Sequence, residues 1–264
     1  MSYQKLFSHY YIDPESNTAN YTRILSLINE LRIISKMQIK QFIATEKELA
    51  KSTYDKILLF LEEHYFIQRM LDYRYKKSVV YYITKDGIEF LGSNYTVLKN
   101  PYYNIEHCLK INDMLIEGLT CLGSHPYLNS IISERRLVFE MKDGKEAKES
   151  KGRVYKVPDF DFEFLSLQEE IDVVWHFEVE LTLKSLTRYT ERILPYYLKI
   201  LEDKYTKNDK IIYVVPTGAI QTKLMNLWAE MEHKKQKNYP NFVIVHFDNF
   251  ATRLSELAQD LHQN

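Results

Sequence analysis

Two stretches of this chain alternate acid with hydrophobe so regularly that they leave little choice of backbone. In PDFDFEF (158–164), Asp159, Asp161 and Glu163 fall on one side of an extended chain, and Phe160, Phe162 and Phe164 on the other. In DVVWHFEVELTLK (172–184), Asp172, His176, Glu178, Glu180 and Lys184 share one side, and Trp175, Phe177, Val179 and Leu181 the other. A period of two predicts two strands. If they pair, two rows of carboxylates meet on one face of a sheet whose opposite face is packed with aromatic and aliphatic side chains.

Carboxylates crowded within about 4–6 Å repel and raise one another's pKa unless a counter-charge is present. A divalent cation is one such charge. Mg²⁺ takes hard oxygen ligands, usually one or two carboxylates completed by waters and substrate phosphate. Glu178 and Glu180, two apart on a strand, can look at one Mg²⁺ or Mn²⁺, and Asp159 on the neighbouring strand completes the clamp. Lys184 is placed to assist the nucleophile or the leaving group, and Arg188, further along the next helix, to meet a phosphate. The plain alternative is an antiparallel sheet with one solvated acidic face.

The elements around these strands set the fold class. YNIEHCLKINDMLIEGLTCL (103–122) reads as a helix and ERRLVFEM (134–141) as a strand. After the acidic strands come a helix (185–205), a buried strand KIIYVVP, a helix, a strand NFVIVHF and a last helix. The order predicts an α/β domain with a mixed sheet.

The front of the chain is different. YTRILSLINELRIIS places Ile24, Leu25, Leu27, Ile28 and Leu31 on one helical stripe. A short helix follows, then TYDKILLFLEEHYFI with Ile57, Leu58, Phe60 and Leu61 as its core face. Two Tyr- and Val-rich segments follow, separated by Lys76-Lys77, and read as a β-hairpin with a basic tip. Three helices and a two-stranded ribbon form the order of a winged helix-turn-helix, in which the third helix enters the major groove of duplex DNA. Lys51, Ser52, Thr53 and Lys56 sit at its start, where short polar and basic side chains reach base edges and phosphates. Arg74, Lys76 and Lys77 are the wing contacts. The same module also serves protein contact or homodimerisation. GSNYTVLKNPY (92–102) lacks apolar periodicity and reads as a linker, giving domains at 1–95 and 101–264.

Composition removes other classes. The net charge of −1 excludes a basic nucleic-acid coat protein, and 7 Gly with 7 Pro exclude low-complexity chains. Cys108 and Cys121 support neither a disulfide framework nor a zinc cluster, so a reducing, cytoplasmic setting is expected. The start of the chain lacks the apolar core of a signal peptide, and no stretch suits a membrane helix. No P-loop or GxGxxG is present.

Pro158-Asp159, with Glu178-Val179-Glu180 beginning nineteen residues after Asp159, resembles the PD-(D/E)xK nuclease motif. The helix and three-strand order is similar to that superfamily's restriction-endonuclease-like αβββαβ core. Here Glu180 stands at the last motif position instead of Lys. Some restriction enzymes of the superfamily carry this ExE form, with Lys184 then the candidate cation and Glu106 or Glu117 a candidate additional acid. The combination of YYITKDGIEFL, IEHCLKINDMLIEGL, ERRLVFE, PDFDFEF and FEVELTLKS resembles plasmid replication-relaxation proteins and MobC-type mobilisation relaxases over roughly residues 20–215. The resemblance implies binding to double-stranded DNA at a plasmid transfer origin, metal-dependent nicking, and association with conjugation coupling proteins. None of the 8 His forms the His-hydrophobe-His pair of the other relaxase chemistry. Tyr189, Tyr196 and Tyr197 are the tyrosines nearest the acidic strand, with Tyr189 best placed as a covalent nucleophile. The alternative to an enzyme is an inactive nuclease fold acting as a DNA-binding accessory or regulatory factor in plasmid transfer or replication.

Overall fold

The computed structural model of the chain describes residues 5–6, 19–46, 48–72, 78–143, 156–165 and 172–261. The chain divides into two units, Met1–Ser124 and His125–Asn264. Together they make a mixed α/β protein with one three-stranded antiparallel sheet and one five-stranded mixed sheet.

In the first unit the apolar stripe forms helix α1 (Ala19–Leu31), with Ile24, Leu25, Leu27 and Ile28 fully buried. A short strand β1 (Ile33–Ser35), which sequence periodicity misses because it is only three residues long, leads into α2 (Lys36–Ala44). Ser35 ends the strand and starts the helix. Its hydroxyl accepts from the Gln38 amide at 3.1 Å, and the Ser35 amide donates to Gln38 Oε1 at 3.1 Å, closing a capping box. Helix α3 (Lys51–Glu63) buries Tyr54, Ile57, Leu58 and Leu61. Phe60, expected in that core, is 38% exposed, because it lies one step round the helix from the buried stripe.

The hairpin strands are β2 (Ile67–Asp72) and β3 (Ser78–Ile83), and β1 joins them in the order β1-β3-β2, all antiparallel. Its tip, with Arg74, Lys76 and Lys77, lies outside the described residues. Thr84 caps the short helix α4 (Lys85–Phe90) by accepting from the Gly87 amide. Gly87 is fixed by sterics: a Cβ there would stand 2.2 Å from the Phe66 carbonyl oxygen. Helix α5 (Ile105–Leu122), expected to open the second domain, packs inside the first unit. Asn112 Nδ2 donates to the Ile33 carbonyl at 2.8 Å, and Gln38 Nε2 to the Leu109 carbonyl at 2.6 Å. The boundary therefore falls after residue 124 and not within 95–101.

The second unit opens with β4 (Leu128–Ser133) and α6 (Glu134–Asp143). Here the structure corrects the sequence reading, which placed a strand over 134–141. The Ser133 hydroxyl accepts from the Arg136 amide at 3.1 Å, and Arg136 pairs with Glu140 one turn on at 2.7 Å. A cap and an i,i+4 pair outweigh the β-preference of Val138 and Phe139. The true first strand, LNSIIS, is too polar to stand out. Next come β5 (Phe160–Phe164), β6 (Val173–Val179) and a helix α7 over 186–202, followed by β7 (Lys210–Val215) and α8 (Gly218–Lys235). β8 (Phe242–His246) and α9 (Phe250–Asp260) finish the chain. The sheet order is β4-β5-β6-β7-β8: β4, β5 and β6 form an antiparallel meander, and β7 and β8 continue parallel to β6.

The two faces of this sheet bury different chemistry. Phe160, Phe162, Trp175 and Phe177 are all fully buried on one, where Phe177 meets Phe250 of α9 edge-on at 6.0 Å. On the other, Tyr189, Leu194 and Tyr197 of α7 and Leu224 and Trp228 of α8 pack over Ile211 and Tyr213 of β7. Among the described residues no helix is long and apolar enough to cross a membrane.

Candidate functional site

The register of β5 and β6 puts Asp161 opposite His176 and Phe160 opposite Phe177. Asp159, just before β5, follows the same register. Its amide donates to the Phe177 carbonyl at 2.9 Å, and its Oδ2 accepts from the Val179 amide at 2.6 Å. It therefore lies beside Glu178, as the alternation predicts. Glu180 follows at the end of β6, its amide held by the Val214 carbonyl at 2.9 Å. Asp159, Glu178 and Glu180 share the sheet face that α7 covers.

That cover explains why the acidic face is not a solvated one. Glu178 is 5% and Glu180 4% exposed. Each is gripped by one lysine and one tyrosine through a single oxygen. Glu178 Oε1 accepts from Lys156 Nζ and from the Tyr197 hydroxyl. Glu180 Oε2 accepts from Lys184 Nζ and, at 2.8 Å, from the Tyr189 hydroxyl. Tyr189 opens a π-helical turn, Tyr189–Ile193, inside α7. Tyr189 and Tyr197, eight residues apart and so on one helix face, both meet the sheet. Burial and the adjacent Glu180 push the Tyr189 hydroxyl pKa up, and burial and Glu178 do the same for Tyr197. Both are neutral hydrogen-bond donors at neutral pH, and the Tyr189 hydroxyl is engaged with Glu180.

Asp159 has a different environment. Burial, and then the negative charge of Glu178, hold its pKa well above the ordinary carboxylate range. Glu134 of α6 adds to this, and its amide donates to the Asp159 carbonyl at 3.0 Å. Glu134 is thus an acid that the fold brings near Asp159, while Glu106 and Glu117 fall on α5 in the first unit. A second polar group lies along the same face. His176 Nδ1 lies 2.9 Å from Asp161 Oδ1, and its Nε2 lies 3.5 Å from Asp209 Oδ2.

The donor chemistry suits a divalent cation. Asp159 and Glu178 side by side supply the one or two carboxylates that Mg²⁺ requires. Tyr213, which pairs with Glu178 in the parallel register, is fully buried, and its hydroxyl has no hydrogen-bond partner among the described residues. As the side chains stand, no three His, Cys, Asp or Glu among the described residues form a ready-made metal cage. Glu180 is turned to Lys184 and Tyr189.

Of the other residues singled out from sequence, Lys51, Ser52 and Lys56 are exposed on the first two turns of α3, with Thr53 half-buried beside them. Arg188 is exposed at the start of α7. Lys156, Tyr197 and Glu134 were missed as site residues. Lys156 lies two residues before Pro158-Asp159, at the end of a segment with several other Lys and Arg, and does not stand out among them.

No protein-family model matches the chain, and no curated protein matches it. Among solved structures it is similar to restriction endonuclease FokI bound to DNA, with 12% sequence identity and a TM-score of 0.24. That alignment covers 94% of this chain, which spans 47%, about half, of the other. A superposition this loose carries no argument, and the functional reading rests on the strand pairing described above.

Proposed function

We propose that the chain is a DNA endonuclease whose second unit cleaves phosphodiesters at Asp159, Glu178 and Glu180, and whose first unit binds duplex DNA as a winged helix. The observation that carries the reading is the pairing of Asp159 with Glu178 across β5 and β6, at the end of an antiparallel meander continued by parallel strands. The antiparallel meander with a parallel continuation fits the expected PD-(D/E)xK core in part; α6 is inserted between β4 and β5, and the opening helix α5 belongs to the first unit. Support for the winged helix is the order α1, β1, α2, α3, β2, β3 with β1 closing a three-stranded sheet, and the exposed Lys51, Ser52 and Lys56 on the third helix.

A divalent ion, Mg²⁺ or Mn²⁺, held by Asp159 and Glu178 would activate water and neutralise charge on the scissile phosphate. The chain's own groups divide the remaining work. Tyr197 and Tyr189 fix one oxygen of each glutamate, so the carboxylates keep their orientation. Lys156 and Lys184 place ammonium groups where phosphate oxygens arrive. Arg188, exposed beyond them, extends the positive track.

The test is conversion of supercoiled plasmid to open circles by the full chain with Mg²⁺, with Mn²⁺ and with EDTA. Metal-dependent nicking that disappears in Asp159→Asn and in Glu178→Gln is expected. Equal cleavage by these variants removes the residues from the chemistry. The finer assignment, nicking at a plasmid transfer origin, rests on sequence resemblance. A supercoiled substrate carrying such an origin, compared with one lacking it, decides that point. One observation favours a second reading, an inactive DNA-binding factor: both glutamates are already neutralised by lysines. No cleavage under any metal, with DNA binding retained in a gel-shift assay, selects it.

A further inference from the structure

The two glutamates of β6 are held in the same way. Each is buried, each uses one oxygen to accept from both a lysine and a tyrosine, and Glu178 also stands beside Asp159. The tyrosines come from one rigid helix and the glutamates from the end of the central strand. The lysines do not share that rigidity. Lys156 lies in the irregular segment before β5, and Lys184 in the loop between β6 and α7. β5 and β6 are antiparallel, so both loops lie at the same end of the sheet, beside Asp159.

The charge balance is informative. Two ammonium groups bring the same charge to the cluster as one divalent ion. Buried carboxylates without a counter-charge are costly, so something must stay with them in the absence of metal. The lysines do this from flexible four-carbon stems, partly exposed, and Lys156 also lies over the Tyr197 ring at 5.3 Å.

From this geometry we infer that Lys156 and Lys184 are resident counter-cations, and that a divalent ion enters the Asp159–Glu178–Glu180 cluster by competing with their ammonium groups. The inference rests on the proposed nuclease site and adds how that site is loaded. Displaced ammoniums at the mouth of the site are free to bind phosphate oxygens. DNA that recruits them strengthens metal binding, and by linkage metal strengthens DNA binding by the same factor.

Calorimetric titration of the full chain with Mn²⁺ tests this. Lys156→Met and Lys184→Met are expected to tighten Mn²⁺ binding about tenfold each, because each removes an ammonium that occupies a carboxylate oxygen and repels the incoming ion. Lys156→Arg, which keeps the charge, is expected to bind as the unchanged protein does. Unchanged or weaker binding in both Met variants overturns the inference. Should the Met variants fail to fold, lysine acetylation of the unaltered protein, read by mass spectrometry, replaces them. Mn²⁺ should raise labelling of Lys156 and Lys184 and leave the exposed Lys199 and Lys223 unchanged, and equal labelling with and without Mn²⁺ overturns the inference. Mn²⁺ binding only in the Met variants supports the counter-cation role and removes metal-dependent cutting by the unaltered chain. Metal binding and cutting by the unaltered chain, with identical affinity in the Met variants, removes the counter-cation role alone. No binding in any variant removes both.

Discussion

The two units bury polar groups in opposite ways. The first buries mainly neutral amides. Gln38 is fully buried and bonds the Ser35 amide, the Leu109 carbonyl and Asp113, while Asn112 bonds the Ile33 carbonyl. These tie α2 and α5 to β1. Glu30, also buried there, accepts from the Tyr95 hydroxyl at 3.4 Å. The second unit buries Asp161, Glu178, Glu180 and Asp209 along one sheet face, each at 5% exposure or less. A satisfied neutral hydrogen bond contributes about 1 kcal/mol net and costs little to bury. A buried ion costs several kcal/mol before its partners offset it. Amides of this kind serve to fix helix positions. A row of charges needs another justification, and the chemistry proposed at the end of β6 would supply one.

The largest effect expected from this contrast is at His176. Replacing it with Ala leaves Asp161 and Asp209 facing one another without a cation and should cost about 3–5 kcal/mol in urea unfolding. The pH response sharpens the point. Burial lowers the His176 pKa, but Asp161 and Asp209 more than reverse this and raise it to about 10, against an ordinary 6.5. A raised pKa stabilises the fold fully below the ordinary value, so this contribution should be complete below about pH 6.5 and fade as pH climbs towards 10. Stability that instead rises between pH 7 and 10 contradicts the buried ion triad.

In the first unit, Gln38→Ala should cost about 2 kcal/mol, since it opens the capping box and leaves the Leu109 carbonyl without that donor. Unlike His176→Ala, its loss should be flat between pH 6 and 9 because no proton is involved. A pH-dependent loss at Gln38 would erase the distinction between the units. Ser35→Ala removes only the cap and should cost about 1 kcal/mol, recovered by Ser35→Asp.

How much of this was legible beforehand follows from the length scale of each signal. A period of two is local, so 158–164 and 172–179 could be read as strands and their acidic residues placed on one face. Pairing between them follows once both are strands joined by a short connection. Lys156, Glu134 and Tyr197 reach the site through loop closure and helix packing, which no local pattern encodes. The π turn at Tyr189–Ile193 is equally silent in sequence. Helix α6 was misread because its apolar residues favour strands, while its cap lies one residue outside the segment considered. Helix α5 was assigned to the wrong unit for a related reason: amphipathicity shows that a helix has a buried face and not which sheet it meets.

The smallest expected effect is at Asp55, and it separates a surface ion pair from the buried ones. Lys36 Nζ lies 2.5 Å from Asp55 Oδ1, but the side chains are 35% and 45% exposed. The hydrogen bond from Lys36 holds the Asp55 pKa below the ordinary carboxylate value. A lowered carboxylate pKa stabilises the fold above the ordinary value, and the contribution disappears as pH falls through the lowered one. Water and salt screen a pair this exposed, so Asp55→Asn should leave the thermal midpoint unresolved from the unaltered protein at neutral pH, with or without added salt. Lys156→Met, removing a partner from a glutamate at 5% exposure, should lower the midpoint of the metal-free protein measurably. Equal shifts from the two substitutions would mean that burial does not set the strength of these pairs, and the contrast between the units would then rest on the amides alone.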